Sequence, residues 1–210
     1  MRRIAQRDDI RDLILDAVDA LLARYGYAKM TMDDVAREVG IGKGTIYLHF
    51  PGKEELVLSH IDRIAERVAD GLRDIAASPA PAAERLRRML VHRVLFRFDS
   101  VAHYSQNLSD LLSSVRSALL ARREAHFVTE AKVFEEVLRE GVRSRDLDCS
   151  DPAGASRVLI QSTNSLLPFN LSARELGRRE EVEKYAAAAA ELLVRGLAPR
   201  PKRPASRSRD

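Results

Sequence analysis

Four polar side chains that can donate hydrogen bonds lie close together in the run KGTIYLHF: Lys43, Thr45, Tyr47 and His49. In a helix, Ile46 and Phe50 are four residues apart and share one face, which can pack into a core. The polar side chains then point outward. Hydroxyl and ammonium groups placed in this way suit hydrogen bonds to phosphate and to base edges in a major groove. The alternatives are packing alone for Tyr47 and a surface or capping role for His49.

A short helix, a turn and a second short helix must position this run. Thr31 resembles an N-cap, and two acidic residues follow it in the first turn, where the helix dipole favours them. Apolar residues then repeat at helical spacing: Met32, Val35, Ala36 and Val39. Gly40 ends this helix, and Gly42 permits a tight turn into the next one. An amphipathic helix over residues 8–25, stopped by Gly26, precedes the pair, so the segment is typical of a helix-turn-helix.

The remainder of the chain also repeats apolar residues at helical spacing, with almost no strand signal. The spacing predicts helices near 53–77, 81–97, 101–110, 115–144, 152–167 and 179–197. The third-last of these is expected to be bent or weakened around Gly141. The run SPAPAA at 78–83 interrupts the helical pattern and is the best candidate for a domain boundary. The fold class is therefore all-α, with about eight to ten helices.

Residues 8–55 resemble the DNA-binding domain of the TetR family of bacterial transcriptional regulators. The matching run is TMDDVAREVGIGKGTIYLHFPGKEEL, and it includes the Tyr-x-His-Phe core, the Lys53-Glu54-Glu55 opening of the fourth helix and the Gly-Tyr before Thr31. Elsewhere the chain resembles the family only in helix count, length and the amphipathic final pair. The resemblance implies a three-helix DNA-binding domain joined by a long helix to a C-terminal ligand-binding and dimerisation domain.

The resemblance also implies boundaries and DNA contacts. The domains would be 1–55, with an arm at 1–7, and 56–198. Residues 199–210, which are rich in Pro, Arg and Ser and can bury little, are expected to form a disordered basic tail. Lys43, Gly44 and Thr45 would start the recognition helix. The full DNA-binding set is Thr31, Lys43, Gly44, Thr45, Tyr47, His49 and Lys53. In this set Thr31 holds a phosphate while capping its helix, and Lys53 meets a phosphate at the start of the fourth helix.

The C-terminal half is expected to hold a dimer interface and a ligand pocket. Helices at about 152–167 and 179–197 carry apolar faces that suit a four-helix, two-fold interface, although the same faces could close the protomer's own core. A pocket for an apolar effector would use aromatic and polar side chains, which are more often simply core: Met89, His92, Phe96, His103, Tyr104, Phe127, Phe134, Gln161 and Asn164.

Composition excludes several function classes. The 210 residues are 45% hydrophobic and 31% charged, and they include one cysteine. A single cysteine argues against a disulfide framework and against a metal cluster held by thiolates. The sequence also predicts no pair of metal-binding histidines, no cofactor site and no set of catalytic residues. Without an apolar run long enough for a membrane span or signal peptide, the expected location is the cytoplasm, on the nucleoid when DNA is bound.

The formal net charge of +4 lies in the tail. Residues 1–60 contain nine basic and ten acidic side chains, so DNA contact must come from local arrangement and from dimerisation. Arg2 and Arg3 could enter a minor groove, or could belong to a frayed terminus. The tail could tether DNA, or could be a solubilising or cloning-scar segment.

These features predict a homodimeric repressor that binds a palindromic operator and is released by a small apolar ligand. The fourth helix would act as the lever. A DNA-binding protein with no small-molecule input is the first alternative, and a helical enzyme is a distant second.

Overall fold

The structure, a computed structural model, describes residues 2–168 and 177–199, with side chains from Ile10 onward. Within those ranges the chain forms eight α-helices: α1 (Arg2–Lys29), α2 (Met32–Val39), α3 (Lys43–His49), α4 (Lys53–Ala76), α5 (Ala82–Val101), α6 (Ser105–Ser144), α7 (Pro152–Thr163) and α8 (Arg179–Arg195). Short 3-10 turns follow α5 and α7. The all-α class and the N-terminal helix-turn-helix are confirmed.

Glycines shape the first three helices. Gly26 interrupts the helical dihedrals of α1 with φ 70°, after which the helix resumes as far as Lys29. Gly26 also lies against Asn107 of α6, where a Cβ would come within 2.9 Å of the amide carbon. Gly40 ends α2 in the left-handed conformation at φ 75°. The arm expected at 1–7 is continuous with α1 from Arg2, while the tail from Arg200 and the side chains of residues 1–9 lie outside the described residues.

Helix α6 corrects the expectation of two helices at 101–110 and 115–144, because one helix runs through both. Serine can compete with a helix for backbone hydrogen bonds. Here Ser113 and Ser114 donate instead to the carbonyl of Asp110, at 2.9 Å and 2.8 Å, within the continuous helix. Gly141 lies within this helix, and Leu147 and Ala82 pack against it so closely that a Cβ would clash.

Two apolar cores lie along α4. The first core contains the buried faces of α1, α2 and α3, the first half of α4 and the first half of α6. Leu108, Leu111 and Val115 of α6 lie in this core together with Ile14 of α1, and the two helices are in contact. The second core joins the remainder of α4 and α6 to α5, α7 and α8. The helix-turn-helix therefore packs directly on the C-terminal half, and α4 and α6 run through both cores.

Candidate nucleic-acid interface

Helix α3 presents one face to the protein and one to solvent. Ile46 and Phe50 are fully buried in the first core, as their spacing predicted. Tyr47 is 45% exposed and Leu48 is 75% exposed. Lys43 and Gly44 are exposed at the start of the helix, and Thr45 is half-buried. The buried pair thus anchors the helix while its outer face offers an ammonium, a phenol and an aliphatic group.

Leu48 was missed by the sequence reasoning. Its side chain is the most exposed of the large apolar groups in the part of the chain that the structure describes. An isolated leucine on a solvated face gains little, whereas an aliphatic group in a major groove can contact a thymine methyl. The sequence could have indicated this exposure, because residue 48 lies two positions after the buried Ile46 and therefore on the opposite side of the helix.

Lys43 is held by an ion pair across the turn. Its Nζ lies 2.8 Å from Oδ1 of Asp33 in the first turn of α2. The hydrogen bond to Asp33, with the attraction of that carboxylate, raises the pKa of Lys43. Both side chains are more than half exposed, so the pair itself stabilises the fold little. The pair keeps the ammonium at the open face of α3, where a phosphate could compete for it.

Thr31 caps α2 as its position predicted. The backbone N–H of Asp34 donates to Oγ1 of Thr31 at 3.2 Å, and the backbone N–H of Thr31 donates to Oδ2 of Asp34 at 3.0 Å. The Thr31 hydroxyl also donates to Oδ2 of Asp34 at 2.6 Å, and this hydrogen bond is the main cause of the lowered pKa of Asp34. The capping box fixes the start of α2, and with it the angle at which α3 follows.

Lys53 is engaged within the protein. Its Nζ donates to the carbonyl of Tyr27 at 2.7 Å and to that of Met30 at 3.0 Å, and it lies 4.3 Å from the centre of the Tyr27 ring. Burial lowers the pKa of Lys53. These contacts tie the end of α1 to the start of α4, and the phosphate contact expected for this side chain stays a prediction.

His49, at the end of α3, is half-buried with its ring centre 6.3 Å from that of Phe50. Its position next to the core residue leaves part of the imidazole at the surface. The structure therefore brings five of the seven expected residues to one region around α3, while Thr31 lies at the start of α2 and Lys53 faces α1.

The C-terminal half contains a cavity between α4, α5 and α6. Its volume is about 50 Å³, and Leu167 closes one side. Apolar walls come mainly from Ile61, Leu112 and Leu119, while its polar lining consists of Arg97, Arg116, Arg123 and His126. Of the nine residues expected to line a pocket, the structure brings Phe127 to this cavity.

The other expected pocket residues lie elsewhere. Met89 and Phe134 are fully buried in the second core, and half-buried Phe96 packs against both cores. His92 packs against Gly71, where a Cβ would come 2.2 Å from its Nε2, and burial lowers its pKa. Gln161 accepts a hydrogen bond from the Asn164 amide. Aromatic spacing alone could not separate core from cavity.

His103 and Tyr104 lie where α1 meets the C-terminal half. Asp19 of α1 lies 2.9 Å from Nε2 of His103 and 3.3 Å from Nε2 of His60. Although burial opposes it, contact with the two histidines lowers the pKa of Asp19. Burial raises the pKa of Tyr104, whose hydroxyl lies 3.4 Å from Nε2 of His60. This cluster joins the two halves of the molecule.

A buried charged cluster next to the cavity was also missed. Glu130 of α6 pairs with Arg93 at 2.8 Å and also with Arg97, and the three side chains are almost inaccessible to solvent. Burial acts to raise the pKa of Glu130, but the two guanidiniums outweigh it and lower that pKa. Arg93 also donates to the Ile160 carbonyl at 3.2 Å and to Oδ1 of Asn164 at 3.0 Å, so the cluster ties α5 and α6 to α7.

The amino-acid sequence is similar to those of known bacterial transcriptional regulators. Residues 14–59 match the family described as "Bacterial regulatory proteins, tetR family". The chain is 35% identical over 82 residues to the transcriptional regulator EthR of Mycolicibacterium smegmatis, which covers 39% of this chain and 38% of EthR. It is 33% identical over 156 residues to the uncharacterised regulator YhgD of Bacillus subtilis, which covers 73% of this chain and 80% of YhgD. Across the first curated relatives the chain spans 34% to 53% of their length.

Solved structures share the whole fold. A transcriptional regulator from Cytophaga hutchinsonii superposes with a TM-score of 0.74 at 21% identity, over 90% of this chain and 98% of the other. FadR of Bacillus subtilis, solved in complex with stearoyl-CoA, superposes with a TM-score of 0.62 at 18% identity, over 88% and 98% of the two chains. Over the described ranges, the helices are all too short or too polar for a bilayer-spanning segment.

Proposed function

Because this chain belongs to the TetR family of bacterial transcriptional regulators, we propose that it is a repressor that binds a palindromic operator as a homodimer and is released by a small ligand. The DNA-binding helix-turn-helix is the part that it shares most clearly with its relatives. The observation that carries the proposal is the outer face of α3, where Lys43, Tyr47 and Leu48 are exposed above the buried Ile46 and Phe50.

The charge balance supports dimeric binding. One α3 offers few cationic groups, and Lys43 already shares its charge with Asp33. A single protomer would therefore neutralise few phosphates and bind DNA weakly. Two copies of α3 that are about 34–36 Å apart can enter successive major grooves of one DNA face and add their binding energies.

Helices α7 and α8 supply apolar surface for such a dimer. Along α8, Val182, Ala186 and Ala190 pack inward on the second core, so the protomer uses one face of this helix itself. Tyr185 and Leu192 lie on another face and are well exposed. Val158 of α7 is exposed in the same way. A two-fold pairing of α7 and α8 would bury these groups, and hydrophobic burial is the main favourable term in such interfaces.

Ligand release is proposed to act through α4. Arg122 of α6 pairs with Asp62 at 2.6 Å and with Glu55 at 2.5 Å, and His126 lies 3.0 Å from Asp62. These bridges join the wall of the cavity to the start of α4, which follows α3 closely. A ligand that separates α4 from α6 would therefore change the position of α3. A coupling free energy of about 1–3 kcal/mol is sufficient to change DNA affinity several-fold to a hundredfold.

Selection of DNA fragments bound by the purified full chain tests the proposal. We expect an inverted repeat whose half-site centres are about 10 base pairs, or a multiple of this, apart. A repressor also requires that the recovered site overlap a promoter and that deletion of the gene raise transcription from it. Recovery of a single unrepeated half-site would contradict binding as a dimer. Failure to enrich any sequence would contradict recognition of a specific operator.

Replacement of Leu192 with glutamate tests the interface. Leu192 is 71% exposed in the protomer, so the substitution should leave folding unchanged but place two carboxylates in the proposed two-fold contact. We expect dimerisation to weaken at least about tenfold, measured by sedimentation equilibrium. Leu13→Glu is the matched control, because Leu13 is 56% exposed on α1. An unchanged dimer in the Leu192 variant would place the interface elsewhere.

A further inference from the structure

The cavity between α4, α5 and α6 is apolar in its walls but positively charged in its polar groups. Three guanidiniums line it, from Arg97, Arg116 and Arg123, together with the imidazole of His126. The described lining includes no acidic side chain. Positive charge beside an apolar surface attracts an anion more strongly than it would in bulk water, because the local dielectric is lower. The lining is thus complementary to a ligand that is both apolar and negatively charged.

The buried cluster adds to this imbalance. Two guanidiniums, those of Arg93 and Arg97, share the one carboxylate of Glu130, which leaves one positive charge in excess. Arg93 is surrounded by Glu130, the Ile160 carbonyl and Asn164. Arg97 is the member of the cluster that reaches the cavity. The net positive charge of the cluster therefore reaches the cavity wall through Arg97, where the low local dielectric strengthens the attraction for an anion.

Arg116 and Arg123 make the opening of the cavity positive as well. Arg116 is exposed, and Leu120, one turn further along α6, is 43% exposed at the same opening. Arg123 lies over the ring of Phe127, with 5.6 Å between its guanidinium carbon and the ring centre. Cationic and apolar side chains thus alternate along this side of α6, from the solvent toward the second core.

We propose that this cavity binds an anionic amphiphile: an aliphatic chain that ends in a carboxylate or phosphate. The inference rests on the proposed function, since it names the class of ligand that occupies the effector site. The head group accepts hydrogen bonds from the arginines, and the chain contacts Ile61, Leu112 and Leu119. A neutral ligand of the same length gains nothing from the positive charge of the lining, and a cationic ligand is repelled by it.

The small volume of the cavity means that ligand binding requires side chains between α4 and α6 to move. A volume of about 50 Å³ accommodates a head group and not a long chain. Ligand binding must therefore displace side chains between α4 and α6 and lengthen the cavity. The Arg122 bridges to Glu55 and Asp62 cross the same two helices. The displacement that admits the aliphatic part of the ligand therefore also acts on the Arg122 ion pairs, which hold the start of α4.

Calorimetric titration of the purified full chain, without DNA, tests the ligand class. The probes are decanoate, decyl phosphate, 1-decanol and decylamine, each below the concentration at which it aggregates. At least one anionic probe should bind with one site per protomer, at least about tenfold more tightly than decanol, and decylamine should not bind. Preference for decanoate would identify a carboxylate ligand, and preference for decyl phosphate a phosphate ligand. Equal binding of decanol, binding of decylamine or failure of both anions would overturn the proposal.

A double variant locates the binding site. Arg116→Gln/Arg123→Gln should weaken binding of the preferred anion at least about tenfold. Arg67→Gln/Arg143→Gln removes the same charge from exposed positions away from the cavity and should change the affinity less than twofold. Equal weakening in both variants would show a nonspecific charge effect. Since the titration contains no DNA, an operator recovered without anion binding overturns the ligand class alone, whereas anion binding without any operator overturns the proposed function alone.

Discussion

Replacement of Tyr47 with alanine is expected to weaken operator binding by the dimer about a hundredfold while leaving the dimer intact. The ring is 45% exposed on the outer face of α3, and its removal does not touch Ile46 or Phe50, which hold the helix in the first core. A polar contact to DNA contributes about 1–3 kcal/mol, and every 1.4 kcal/mol is tenfold in affinity. The dimer loses this contact twice. Titration of fluorescent operator DNA at fixed salt measures the change.

Tyr25→Ala is the matched control, because Tyr25 is 44% exposed but lies near the end of α1. This variant should bind the operator within about twofold of the unsubstituted protein. Tyr47→Phe separates the hydroxyl from the ring: retention of most of the affinity would mean that the ring packs against the DNA backbone. If Tyr47→Ala and Lys43→Ala both keep full affinity, α3 is not the element that contacts DNA.

Replacement of Glu130 with glutamine is expected to destabilise the protein by about 3–5 kcal/mol, because Arg93 and Arg97 would be left as buried charges without an anion. For a chain of this size we expect the midpoint of thermal unfolding to fall by roughly 6–20 °C. Differential scanning calorimetry measures the fall. Glu136→Gln is the control, since Glu136 is exposed on the same helix, and it should change the midpoint by less than about 2 °C. Equal midpoints for the two variants would show that the cluster does not stabilise the fold.

The contribution of Glu130 should depend on pH in one direction. Because the two arginines hold the pKa of Glu130 below 4.5 in the folded chain, its stabilisation is complete above the unfolded-state value and is lost as the pH falls through the lowered pKa. The difference in stability between the unsubstituted protein and Glu130→Gln should therefore stay constant between about pH 6 and 8. It should shrink only in acid, as urea unfolding at each pH would show.

Sequence reasoning was strongest where the signals are local. The capping box at Thr31, the left-handed Gly40 and the spacing of Ile46 and Phe50 all act within one or two turns of the chain, so a single sequence contains them. The same local pattern carries the family resemblance. The outward positions of Tyr47 and Lys43 follow directly from the buried pair.

Sequence reasoning failed where the partner lies far along the chain. The hydrogen bonds that Lys53 donates to the carbonyls of Tyr27 and Met30 are an example, because no local pattern could indicate them, while its phosphate contact stays a prediction. Arg93 and Glu130 are 37 positions apart, so neither residue signalled that the other would neutralise it. For the same reason, the sequence could not predict which residues line the cavity between α4, α5 and α6. Aromatic side chains at helical spacing identify a buried face but not whether a neighbouring helix leaves space beside it.

The first core limits how the DNA-binding segment of one such regulator can be grafted onto another. Because Leu108, Leu111 and Val115 of α6 share the first core with the inner face of α1, a chimaera that takes residues 1–55 from a relative would place foreign side chains against this part of α6. A successful graft must either carry the matching segment of α6 with it or keep the inner face of α1 unchanged. The outer face of α3 can be redesigned separately, since its side chains take no part in that contact.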